Sequence, residues 1–147
     1  MSRLDSDQRC RYIKNYGWSY YESDENSWVS GWQTDKRAYP LSIELSDTCL
    51  ELAVEPLIKL DIEWNLWPDI VQYILELNQH IQLAKLSLLP EGSVALSCQI
   101  LTKDLSYDNF SEALGIIGYY AEDLYDRLFE RIFKSGLLTH HSSKFLT

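Results

Sequence analysis

Across 147 residues, 22 Asp and Glu outnumber 13 Lys and Arg, a net charge of −9. That balance argues against nucleic acid or an anionic membrane surface as a partner, because a polyanion is met by a basic footprint, and it leaves basic proteins and peptides allowed. At 46% hydrophobic and 24% charged residues, the chain is expected to fold as one soluble domain over residues 1–147 with its own core.

The first segment, Asp5–Tyr16, reads as a short helix, capped by Asp5 or Ser6 and ended by Gly17, with Leu4, Cys10, Ile13 and Tyr16 as its apolar stripe. In "WSYYESDENSWVSGW" the polar Ser23–Asn26 stretch separates two aromatic strands. Gly31 within the second marks a bulge or a close backbone approach. "YPLSIELSDTCLELAVEP" then alternates with period two on both sides of Asp47-Thr48. If those two residues form the turn, Leu45 opposes Leu50, Ile43 opposes Leu52 and Leu41 opposes Val54 on one face. A slip of one residue would turn that apolar set to water, so the register is well specified. On the other face Glu44 comes opposite Glu51.

"LWPDIVQYILELNQHI" reads as a helix, with Pro68 in its first turn, where a missing N–H costs nothing. Ile70, Ile74, Leu77 and Ile81 recur at helical spacing, with Val71 and Asn78 beside them. Pro90-Glu91-Gly92 is a turn signal. Around it Leu88 faces Val94, Leu86 faces Leu96 and Ala84 faces Cys98, and the opposite face carries the small or polar Lys85, Ser87, Ala95, Ser97 and Gln99. Ser106 is placed to cap a last helix, whose apolar positions are Phe110, Leu114, Ile117, Ala121, Leu124, Leu128 and Ile132. Ending at Gly136, that helix would be roughly 40 Å long. Residues 136–147 read as a loose tail.

The element order is α-β-β-β-α-β-β-α, with a fourth strand possible before the middle helix. Tight turns make consecutive strands antiparallel, and the apolar strand faces need cover. The expected fold is α+β, an antiparallel sheet of about five strands with helices on one face.

The search for chemistry finds little. Cys10, Cys49 and Cys98 are odd in number and widely spaced, so they read as small hydrophobes in a reducing compartment, not as a disulfide framework or zinc set. Glu122, Asp123, Asp126 and Glu130 alternate with Arg127, Arg131 and Lys134 and read as a solvated charged helix face. Glu44 and Glu51 could push one carboxyl pKa upward, yet no nucleophile or base is placed to work with them. They read as solvent-exposed or as a contact for a basic partner. His80 ends a helix, where a cation suits the dipole, and His140-His141 fall short of the three or four fixed ligands of a metal site. No glycine-rich phosphate loop or hydrolase motif is present, so no cofactor, metal or catalytic residue is expected. Trp28 and Trp32, with Tyr20 and Tyr21, are either core or a binding surface, since Trp and Tyr are favoured interface anchors.

"LELAVEPLI", the helix ending in "LNQHI", the hairpin "LAKLSLLPEGSVALSCQIL" and the helix start "LSYDNFSEAL" together resemble the YbjN-like family, described as bacterial sensory transduction regulators, over Leu4 to Ile132. The resemblance implies the fold of the type III secretion chaperones, no enzymatic activity, and a small, acidic, cytoplasmic homodimer that binds other polypeptides. On this reading the protein-binding residues are Trp28, Trp32, Glu44, Glu51, Ser97 and Gln99, and the partner is a protein or peptide client, possibly a basic one. Two alternatives stay open: a small-molecule or enzymatic pocket between the long helix and the sheet, and a permanent subunit of a larger complex. The N-terminal "MSRLDSDQRC" has no apolar signal region, and no run reaches the roughly 20 apolar residues of a membrane span, which agrees with a cytoplasmic expectation.

Overall fold

The structure is a computed structural model that describes residues 20–146; the helix expected over Asp5–Tyr16, with Cys10, lies outside the described residues. Six strands form one antiparallel sheet: β1 (Tyr20–Asp24), β2 (Ser27–Gln33), β3 (Ala38–Leu45), β4 (Cys49–Lys59), β5 (Lys85–Leu88) and β6 (Ser93–Leu101), in the order β1-β2-β3-β4-β6-β5. A short helix (Trp67–Asn78) links β4 to β5, and a long helix (Tyr107–Leu146) follows β6. The long helix lies on β4 and β6, the short one on β5, and their buried side chains join one core with the inner faces of the strands. The α+β layer expected from the patterning is therefore present. The strand count rises to six because the aromatic N-terminal stretch supplies two strands of its own.

The period-two alternation produced the register it implied. Leu45 pairs with Leu50, Ile43 with Leu52 and Glu44 with Glu51. Ser46 and Cys49 close the turn around Asp47-Thr48, the Ser46 N–H donating to the Cys49 carbonyl at 2.9 Å. Leu86 pairs with Leu96 and Leu88 with Val94, but Ala84 does not pair with Cys98, because β5 starts only at Lys85. Gly92 at the turn has φ 93°, a left-handed value that glycine adopts without steric cost.

Between Val54 and Ile58 the β4–β6 pairing skips: Val54 meets Leu96, and Ile58 meets Val94. The extra residues of β4 form a bulge that holds Pro56, whose ring nitrogen has no proton for the ladder. Both Leu57 and Ile58 are buried there, so the strand stays apolar across the irregularity.

Gly31 is a close approach. A Cβ on it would sit 2.7 Å from the Tyr39 carbonyl oxygen, a backbone atom that cannot swing away. Gly31→Ala should therefore destabilise the fold by about 1–3 kcal/mol through overpacking. Urea denaturation would read this as a lower midpoint, and an unchanged midpoint would refute it.

The Ser106 hydroxyl accepts the Asn109 N–H at 3.1 Å and caps the long helix as expected. Phe110, Leu114, Ile117, Ala121, Leu124 and Leu128 are all 2% exposed or less, and Ile132 packs on the edge of that core. The helix does not stop at Gly136. It continues to Leu146, 40 residues in all, or about 60 Å. One helical glycine costs only about 1 kcal/mol against alanine, and no proline follows, so the tail extends the helix.

Candidate functional site

The face of the sheet away from the helices collects the side chains that the alternation sends outward. Register alone sets up two adjacent rows. One runs Ser42, Ala53, Ser97, Lys85 and the other Glu44, Glu51, Gln99. Ala53, Ser93, Ala95 and Ser97 are small side chains, each buried at 1–5% exposure. Carboxylates rise around them. Glu51 accepts a hydrogen bond from the Gln99 amide at 2.7 Å, while Glu44 beside it is exposed.

Glu55 continues the same outward series on β4. Its carboxyl pKa is pushed up, first by burial and then by the charges of Glu51, Glu44 and Glu91. Glu91 is held below the usual range mainly by the Ser93 hydroxyl, which donates to it at 2.6 Å. Two concavities bracket the small side chains. A cleft of about 630 Å³ is lined by Glu55, Pro56, Lys59, Asp61, Glu91 and Ser93, among others. A hollow of about 300 Å³ at the other end takes in Ser27, Glu44, Ser46 and Glu51. Chemically this is a shallow, acidic, hydrogen-bonding platform. Among the described residues no His, Cys, Asp or Glu side chains gather as a metal site.

The six residues singled out in the sequence divide between the two faces. Glu44, Glu51, Ser97 and Gln99 come together on the outer face. Trp28 and Trp32 do not join them. Trp28 is 1% exposed, pairs with Ile43 on the inner side, and belongs to the core. Trp32 is partly buried and stacks on Tyr39 at 4.9 Å. Trp28 is thus a core residue and corrects the surface alternative, since the strand's alternation sends it under the helices. The patterning does not single out Glu55 or Glu91, although Glu55 is the next outward residue after Ala53.

The acidic patch on the long helix is also corrected. Asp123 and Glu130 do pair along the helix, with Arg127 at 2.9 Å and Lys134 at 2.8 Å. Glu122 and Asp126 do not simply face solvent. Glu122 accepts from the Tyr39 hydroxyl at 2.7 Å, from the Arg37 guanidinium and from the Thr34 hydroxyl. Asp126 takes Lys36 and Arg37, each at 3.2 Å, and the Arg37 guanidinium lies 3.7 Å over the Tyr125 ring. This cluster clamps the β2–β3 loop to the long helix. A second clamp joins the helices: Arg131 reaches Asp69 with two hydrogen bonds, at 2.8 and 3.0 Å, and Ser135 donates to the same carboxylate at 2.9 Å.

Asn78, at the end of the short helix, closes one edge of the sheet. Its side-chain carbonyl accepts the Leu86 N–H at 2.8 Å and its amide donates to the Leu86 carbonyl at 3.0 Å. The pair imitates a neighbouring strand on β5, whose outer edge would otherwise invite edge pairing. A polypeptide approaching this side of the sheet meets a satisfied backbone at Leu86. Between the long helix and the sheet, Phe110, Leu114, Ile117 and their neighbours pack together in the core. No helix among the described residues is long and apolar enough to cross a membrane.

No family model matches the chain, and no curated protein matches it. Solved structures do. The chain is similar to a structure of the ExsC–ExsE complex at TM-score 0.60 and 16% identity, over 85% of this chain and 97% of that one. It is also similar to the heterodimeric ExoU–SpcU complex from the type III secretion system of Pseudomonas aeruginosa, at TM-score 0.56 and 15% identity, over 83% and 95% of the two chains. A third match is an uncharacterized protein from Methanothermobacter thermautotrophicus, at TM-score 0.60 and 15% identity, over 88% and 99%. At such identities the likeness is one of fold: the α+β arrangement is that of type III secretion chaperone-like proteins.

Proposed function

We propose that this protein is a non-enzymatic, chaperone-like adaptor, working in the cytoplasm as a homodimer, and that it holds a basic polypeptide client against the outer face of its sheet. The observation that carries this reading is the gathering of Glu44, Glu51, Glu55 and Glu91 around the small outward-register side chains of β4 and β6. Two of the fold's neighbours are described as complexes with another protein, which supports the same reading. The exposed Gln99–Glu51 pair offers polar contacts to an extended backbone, and the carboxylates set the sign of the client; Ser97, at 5% exposure, is buried. Trp32 lies at the margin of the inner layer and makes no part of this platform.

The test uses a fluorescent lysine- and arginine-rich extended peptide titrated against the full chain. Binding should weaken steeply with salt, as charge-steered contacts do. Glu51→Lys combined with Glu55→Lys should weaken it by roughly tenfold or more, since reversed charges repel the ligand they attracted. Equal affinity in the doubly reversed variant, with the fold intact by circular dichroism, would remove the platform as the site.

A further inference from the structure

The long helix carries a second, aromatic stripe, of which only Tyr125 packs against the core. Tyr125, Phe129 and Phe133 follow each other at four-residue spacing and stack as a ladder, with centroids 6.2 and 6.4 Å apart and planes within 9° and 12°. Phe129 is 54% exposed and Phe133 57%, while Leu128, next to Phe129 in the chain, is fully buried. The helix is thus seated on the sheet by one side and presents the ladder on another. Exposed aromatic ridges of this kind mark interaction surfaces. Arg37 stacks over Tyr125 and closes the ladder at that end; the other end runs along a helix that continues to Leu146.

We propose that a second copy of this chain docks on the ladder, so that the two long helices cross with their ladders interdigitated. The inference rests on the homodimer reading above and names its surface. Charge selects the occupant. The outer sheet face, with Glu44, Glu51, Glu55 and Glu91, would repel its own copy. From Asp123 to Lys134 the helix has three carboxylates and three cations, and its ion pairs Asp123–Arg127 and Glu130–Lys134 are closed internally. On a chain of net charge −9, this is a stretch that an identical acidic molecule can approach without a charge penalty. Geometry agrees. A ridge along four-residue steps is the kind that packs into the matching groove of another helix, at a crossing of about −50°.

The experiment is sedimentation equilibrium on the full chain, with Phe129→Ser, Phe133→Ser, the double variant, and Glu51→Lys/Glu55→Lys as an outer-face control. The wild type and the control should be dimers. Each single Phe variant should weaken self-association roughly tenfold and the double more, as truncated aromatic anchors do, with the circular dichroism spectrum unchanged. The single variants keep the test valid if the double variant does not fold. A wild type monomeric at all concentrations overturns both this inference and the homodimer reading. A dimer that withstands every Phe variant overturns the ladder alone and leaves the homodimer reading in place. Peptide binding, measured in parallel, reports separately on the client platform.

Discussion

Trp28→Ala is expected to cost about 3–5 kcal/mol, the usual range for deleting a fully buried Trp or Phe side chain. The residue is 1% exposed and is the bulkiest of the fully buried side chains, so its removal leaves a cavity between β2, β3 and the inner layer. A domain of this size commonly has about 5–15 kcal/mol of stability in total, so the variant will be near unfolding at physiological temperature. Any loss of partner binding by Trp28→Ala would then follow from lost structure. The indole Nε1 finds no hydrogen-bond acceptor among the described residues. An unpaired buried donor costs about 1–3 kcal/mol, so Trp28→Phe gives up volume but also removes that penalty. It should cost well under half as much as the alanine. Chemical denaturation of the two variants checks the order, and equal costs would mean that the donor is satisfied or the cavity collapses.

The second large effect is expected at Glu122, where one carboxylate ties the β2–β3 loop to the long helix. Glu122→Ala leaves the Tyr39 hydroxyl and part of the Arg37 guanidinium without their acceptor, at a cost of about 1–3 kcal/mol. Tyr39→Phe alone should cost less, and the double variant should cost less than the sum, because both singles break one shared bond. The clamp also dictates the pH response. Burial acts to raise the Glu122 pKa, but the hydrogen bonds from Thr34 and Tyr39 and the charge of Arg37 outweigh it and hold the carboxyl below its ordinary value. A depressed folded-state pKa gives stability that is present above the unfolded carboxylate value and lost as pH falls through the folded one. Tyr39 runs the other way. Its phenol is pushed from 10.0 up to about 12, by burial first and then by its bond to Glu122. That contribution is whole below the ordinary phenol value and disappears as pH rises through about 12. Tyrosinate absorbance, taken as the difference between the wild type and Tyr39→Phe, should show one late-titrating phenol. In Glu122→Ala that phenol should titrate earlier, and an unmoved curve would show that burial alone holds it.

Strand pairing was readable from particular letters. Leu45, Ile43, Leu50 and Leu52 alternate cleanly on both sides of Asp47-Thr48, and a pleated strand has only two faces, so the pairing of Glu44 with Glu51 followed from the turn alone. The 4-3-4-3-4-4 spacing from Phe110 to Ile132 gave the buried stripe of the long helix for the same kind of reason. The end of that helix was not readable, because a lone Gly136 weakens a helix without ending it. The outer platform was half legible: Glu44, Glu51, Ser97 and Gln99 could be placed on one face, while Glu91 joins only because the turn before β6 folds back toward Glu55.

Local pattern, then, determined what depends on neighbours a few residues apart: the helices, the strands, the hairpin registers and the acidic sign of the surface. The sequence also left Trp28 open between core and surface, since alternation assigns a face but not which face the helices will cover. Only the tertiary structure decided that, together with the clamp from Arg37 and Tyr39 to Glu122, the Asp69–Arg131 tie and the Asn78 guard on β5. These contacts join residues up to 85 positions apart. Side-chain hydrogen bonds carry no periodicity along the chain, so nothing short of the packed layers could reveal them.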